Sequence, residues 1–215
     1  GAMPAPTHAH SDDAPRLFGD HFLLTLDDDE RALVARLRGL CRDVFGPQAA
    51  AVARQDVFAW DTFRTLAREG IVATAFPREH GGSDARQRLR IRIVEELGRV
   101  CSTSASIVTG TDLSSRAIVA GASASLQRQI VPGLCTGELQ AAFGLTEPGA
   151  GSDVRGLQTI IRRDGEGYRV SGAKKFITRA STADWFVVVG RSREDAGSFI
   201  AVLVPRDAPG FSISP

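Results

Sequence analysis

From Leu33 onward apolar residues return every three or four positions, so that Leu33, Val34, Leu37, Leu40, Cys41 and Val44 fall on one helical face. Asp27-Asp-Asp-Glu30, just ahead of them, predicts a capping box with an acidic first turn, and Gly46-Pro47 interrupts or ends the helix. A second helix carries Phe63, Leu66 and Ala67 on one side, with Asp61 as its N-cap and Gly70 just past its end. Three further helical stretches fall at about 84–100, 103–121 and 123–136, and Pro132 bends or closes the last of them.

After Gly137 the period drops from between three and four to two. Residues 139–146, 157–162, 168–178, 184–189 and 198–204 read as strands, and Asp164-Gly-Glu-Gly167 reads as a hairpin turn between the second and third. Helices followed by strands, without βαβ alternation, predict an α+β protein and argue against a Rossmann-type sheet. The expected order is an all-helical N-terminal domain over 26–138, then an antiparallel, β-barrel-like domain over 139–215. Residues 1–25 are expected to be a flexible arm: Gly1-Ala2-Met3 has the look of a protease scar, and Pro4, Pro6 and Pro15 punctuate a stretch without periodicity.

Composition narrows the classes. The 215 residues are 43% hydrophobic and 24% charged, enough to bury one large core or two modest ones. A net charge of +1 with interspersed signs gives no basic stripe for nucleic acid. No apolar run reaches the roughly 20 residues that span a bilayer, and no secretory core opens the chain, so the expected location is the cytoplasm. Cys41, Cys101 and Cys135 lie far apart on helical segments, as reduced, buried thiols do. Those cysteines and His8, His10, His21 and His80 have no metal-ligand spacing, and neither a Gly-x-Ser-x-Gly nor a P-loop occurs. Only Lys174 and Lys175 are lysine among 26 basic residues, a skew that GC-rich bacterial coding produces.

One segment stands apart chemically: Phe143-Gly-Leu-Thr-Glu-Pro-Gly-Ala-Gly-Ser-Asp153. Gly144, Gly149 and Gly151 let backbone N–H groups approach an oxyanion, and Thr146 and Ser152 add hydroxyls. A Pro-Gly turn between two strands accounts for the same residues without any ligand. About 25 residues further on comes Val170-Ser-Gly-Ala-Lys-Lys-Phe-Ile-Thr178, followed by Ala183-Asp-Trp-Phe-Val-Val-Val-Gly-Arg191. Together these segments resemble the flavin-binding middle domain of the acyl-CoA dehydrogenase family. Its signature, Ala-Phe-x-Leu-Thr-Glu-Pro-x-Ala-Gly-Ser-Asp and then Gly-x-Lys-x-[Trp/Phe]-Ile-Thr, recurs over 142–153 and 172–178, and the resemblance runs from about residue 26 to 215.

That resemblance implies FAD as cofactor and α,β-dehydrogenation of an acyl thioester, carried by CoA or by a carrier protein. It also implies an electron acceptor like electron-transfer flavoprotein and a homo-oligomer at full length. Phe143, Leu145 and Thr146 would contact the pyrimidine end of the flavin ring. Thr178 would bond near N5, with Ile177 beside it, and Phe176 would cover the face opposite the substrate, where many relatives place Trp. Ser152, with the turn through Gly151, would meet the flavin pyrophosphate or the substrate's phosphopantetheine arm. Each residue also has an ordinary structural reading as a core aromatic, a β-branched strand residue or a turn hydroxyl.

In the family, a four-helix bundle follows the middle domain and supplies the carboxylate base. The sequence stops before it, so it reads as part of a longer enzyme, inactive alone and with its catalytic residue unknown. An oxidase or monooxygenase on the same fold, or a non-catalytic subunit needing a partner chain, are the other readings. Glu147 is expected to be structural, Glu95-Glu96 to be a solvated or ion-paired helix face, and His80-Gly-Gly82 a turn. The Ser- and Thr-rich stretch 102–115 lies on a helix that lines the acyl pocket in relatives, which points to a short or polar acyl group.

Overall fold

The computed structural model describes residues 26–54, 57–195 and 197–214. The arm expected over 1–25 lies outside them. In chain order the elements are α1 (Asp28–Leu40), α2 (Gly46–Val52), α3 (Trp60–Arg68), α4 (Gln87–Gly98), α5 (Ser102–Gly121), α6 (Ala124–Thr136), β1 (Ala141–Gly144), β2 (Ile160–Asp164), β3 (Gly167–Ser171), β4 (Trp185–Ser192) and β5 (Phe199–Pro205). Helices precede strands, as the change of period requires.

The described residues divide into two compact units. One takes in residues 26–54 and 86–105; the other takes in 57–85, 106–195 and 197–214. In the first, Asp27 caps α1 in a full capping box with Glu30. Arg86 reaches both carboxylates, at 2.7 Å and 2.6 Å. The helix does not stop at Gly46-Pro47. A π-helical turn over Cys41–Phe45 widens the ladder, Gly46 N–H donates to the carbonyl of Cys41, and α2 continues with Pro47 in its first turn, where a missing N–H costs least. Val34, Leu37, Cys41, Phe45, Leu89, Ile93 and Leu97 form this unit's core. Glu95 and Glu96 are ion-paired: Arg92, fully buried, meets them at 2.5 Å and 3.1 Å, and Arg38 meets Glu96 at 2.8 Å.

The second unit holds α3, α6 and the sheet. Asp61 is not the N-cap of α3. The helix already begins at Trp60, Ala59 occupies the cap position without a side-chain bond, and Asp61 faces Arg64 at 3.5 Å. Nor does Pro132 close α6, which runs on to Thr136 and ends at Gly137 in the left-handed region, φ 79°.

Sheet direction differs from expectation. β2 and β3 form the expected hairpin around Gly165, and β4 and β5 are antiparallel, but β1 and β2 both run parallel to β4. β5 covers one edge of β4 over residues 185–191, while the other edge takes β1 at 185–188 and β2 at 191–192. The sheet is therefore mixed. Its two faces alternate residue by residue: Ala141 and Val187 join Ile118, Ile130 and Leu134 on one side, and Ala142, Phe186 and Val188 pack with Ala183 on the other. Burial on both faces explains the nearly unbroken apolar runs of β1 and β4.

Candidate functional site

The stretch 168–178 does not stay in one strand. β3 ends at Ser171 because the chain must pass Thr159 at Gly172, where any Cβ would lie 2.4 Å from the Thr159 hydroxyl and 2.7 Å from its Cα. From there the backbone leaves the sheet and turns back over the end of β1.

Four anchors hold this 172–179 loop. Lys175 N–H donates to the Thr146 carbonyl at 2.8 Å, joining the two sequence motifs directly. Lys174 Nζ donates to the Leu145 carbonyl at 2.9 Å and to Glu147 Oε1 at 2.7 Å. The Ile177 side chain enters the core beneath β1 and β4, with Ala142, Phe186 and Val188. Arg179 reaches the Thr111 hydroxyl at 2.7 Å and the Ala141 carbonyl at 3.3 Å.

Glu147 is the keystone of the 143–153 segment. It is 6% exposed, and its two oxygens also accept from the backbone N–H groups of Gln158, at 2.6 Å, and Thr159, at 3.0 Å. Burial pushes its carboxyl up, but the Lys174 ammonium and the converging backbone donors outweigh that and bring it down to about 2. A carboxylate held by three donors and with so low a pKa cannot act as a general base near neutral pH. The structural reading of Glu147 is the one its geometry supports.

Of the residues singled out in the sequence as cofactor contacts, Ile177 turns into the core, against the expectation for it, and Phe143 packs on the apolar cluster at the other face of the sheet. Phe143, Leu145, Thr146 and Ile177 are half-buried, and Gly151, Ser152, Phe176 and Thr178 are exposed, whereas the intervening Ala142, Gly144, Glu147 and Ala150 are buried. Phe176 is 81% exposed and sits at φ 57°, a region a bulky aromatic rarely adopts. Its ring is covered only on the side of Lys175, whose Nζ lies 4.7 Å from the centroid. The hydroxyls of Thr146, Ser152 and Thr178 make no hydrogen bond among the described residues. The Phe176 ring, the three hydroxyls and the open Gly149–Gly151 turn are the groups that these segments leave available to a ligand.

This surface is open rather than a cavity. A groove of about 450 Å³ lies elsewhere, lined by Asp61, Arg64, Thr65, Arg68, Thr136 and Gly137. Sequence reasoning passed over Lys174, Lys175 and Arg179. Both lysines of an otherwise arginine-only chain belong to this site, and that contrast was the available signal. The three cysteines are free and buried, and no cluster among the described residues could hold a metal. No described helix is long and apolar enough to cross a membrane.

Comparisons with known proteins converge on one family. The family model "Acyl-CoA dehydrogenase, N-terminal domain" matches residues 27–138, and "Acyl-CoA dehydrogenase, middle domain" matches 142–215. The short-chain specific acyl-CoA dehydrogenase of Clostridium acetobutylicum is 32% identical over 189 residues, covering 86% of this chain and 50% of that protein. The crystal structure of an acyl-CoA dehydrogenase from Geobacillus kaustophilus superposes with a TM-score of 0.79 at 27% identity, covering 87% of this chain and 50% of that one. An acyl-CoA dehydrogenase from Bacillus anthracis, solved in complex with FAD, gives 0.79 at 26% identity, with 89% and 33% covered. The chain spans about half the length of the curated relatives it matches.

Proposed function

The chain belongs to the acyl-CoA dehydrogenase family, and from that premise we propose that it forms the flavin-holding part of an enzyme that dehydrogenates the Cα–Cβ bond of an acyl thioester. The observation that carries the reading is the pairing of exposed Phe176 with the unspent hydroxyls of Thr146 and Thr178 on one anchored surface. FAD is the cofactor proposed, and when bound it supplies the acceptor for the hydride leaving Cβ. The protein's own residues bind and orient. Phe176 covers one ring face, Phe143, Leu145 and Thr146 line the pyrimidine end, and Thr178, held by Ile177, donates near N5. Ser152 and Gly151 receive the pyrophosphate or the pantetheine arm, because a turn of small residues admits phosphate oxygens closely.

Lys174, itself paired with Glu147, fixes the Leu145 carbonyl and would thereby position the 145–146 backbone that is proposed to line the ring. Glu147 is committed to Lys174, Gln158 and Thr159 and is not free to remove the α-proton, and the base is proposed to lie outside the residues of this site. The acyl carrier is proposed to be CoA or a carrier protein, the electron acceptor to resemble electron-transfer flavoprotein, and the working assembly to be a cytoplasmic homo-oligomer.

Titration of the chain with FAD, followed by the absorption spectrum of the desalted protein, tests the flavin-holding role directly. Retained flavin supports the proposal. A purified chain that takes up no flavin at large excess overturns it.

A further inference from the structure

Arg179 follows Thr178 directly and, like Phe176, sits in the left-handed region, at φ 65°. Two such conformations within four residues persist only where the surroundings impose them. The next turn secures the backbone, since the Arg179 carbonyl accepts from the N–H groups of Thr182 and Ala183, each at 3.0 Å. The side chain secures the rest. Its guanidinium lies over α5 at Gly110, where an added Cβ would come within 3.2 Å of one terminal nitrogen and 3.5 Å of the central carbon. One terminal nitrogen donates to the Thr111 hydroxyl at 2.7 Å, and the other donates at 3.3 Å to the Ala141 carbonyl, which also accepts from Ser114 of α5 at 3.1 Å. The Thr111 hydroxyl gives its own proton to the Ile107 carbonyl at 2.9 Å, which turns a lone pair toward the guanidinium. Burial draws the Arg179 pKa down to about 10, so the group stays charged at neutral pH and its bond to Thr111 is charge-assisted.

We propose that Arg179 is a positioning residue for the flavin: clamped on Thr111 and Ala141, it holds the loop with Phe176 and Thr178 facing outward, and it acts on the ligand through those two side chains. The inference rests on the flavin-holding role proposed above. Lys175 and Ile177 fix the middle of the loop on β1 and the core. Arg179 fixes its end on α5, a helix of 20 residues that belongs to neither sequence motif. A helix is a firmer support than a neighbouring loop, so a clamp on it sets the angle at which the aromatic ring is presented. Gly110 and Thr111 thereby serve the flavin surface without being part of it.

Thr111→Val removes the acceptor and keeps the side-chain volume, whereas Thr111→Ser keeps the acceptor. In the ligand-free 215-residue chain, Thr111→Val is expected to speed amide exchange across 175–180 and leave β4 unchanged. In a fluorescence titration it is expected to weaken FAD binding about tenfold, the scale of one hydrogen bond to a charged group, while Thr111→Ser stays within about twofold of the parent. A double variant separates positioning from general loosening. Because the clamp acts through Phe176, adding Thr111→Val to Phe176→Ala should cost less than about a further twofold. Unchanged exchange in Thr111→Val, unchanged affinity in Thr111→Val, a Thr111→Ser as weak as Thr111→Val, or losses that multiply in the double variant would each overturn the proposal. A parent chain that takes up no flavin overturns the flavin-holding role and this proposal with it, whereas a parent and a Thr111→Val variant that bind FAD equally overturn this proposal alone.

Discussion

Phe176 concentrates the functional reading in one side chain. Because its ring is 81% exposed, it contributes little to folding, and Phe176→Ala should shift the melting temperature by no more than about 1–2 °C. The same change should weaken FAD binding at least tenfold in a fluorescence titration, since base-to-aromatic stacking is worth about 1–3 kcal/mol. Phe176→Trp should preserve binding. Glu147 behaves in the opposite way. Glu147→Gln turns one acceptor into a donor facing backbone N–H groups and strands the Lys174 ammonium, so urea unfolding should show a loss of about 2–4 kcal/mol.

The pH dependence of that loss has a defined sign. The folded carboxyl, at about 2, lies below its ordinary value of 4.5, so its stabilising contribution is complete above pH 4.5 and vanishes as pH falls through 2. The difference in melting temperature between parent and Glu147→Gln should therefore be constant at neutral pH and shrink over that acid interval. Of these two residues, Glu147 was legible as structural only through the family pattern. Its three-donor environment depends on Gln158 and Thr159, a dozen residues away, which no local pattern announces.

At the scale of elements, the helices were legible because each buries one stripe at a period near 3.6, as α1 and α4 do through Leu37, Ile93 and Leu97. The strands were legible as strands but not as partners. Nothing local tells Phe143 that it will lie beside Val187, or that β1 and β2 will share one edge of β4. The run through Phe176 and Thr178 read as strand because β-branched and aromatic residues favour extended structure. Tertiary anchors override that preference: Ile177 goes into the core, and Lys175 pairs with Thr146.

Gly172 is the point of departure. Gly172→Ala should clash with the Thr159 backbone and lower stability by about 1–3 kcal/mol, with the β3–loop junction losing protection from amide exchange. An unchanged melting curve would mean that the loop does not need this close approach.

For the molecule as a whole, the match to two consecutive family models fixes ancestry, and six described helices followed in the chain by a mixed sheet agree with it. The 143–152 and 174–179 segments are tied together by Lys175 N–H on the Thr146 carbonyl and by Lys174 on Leu145 and Glu147, so a ligand held at this surface would touch both. Hydrogen–deuterium exchange with and without excess FAD tests that claim most directly. Added FAD should slow exchange in 143–152 and 174–179 and leave α1 and α2 unchanged. Slowing confined to another surface, such as the groove at Arg64 and Arg68, or slowing nowhere, would contradict the account.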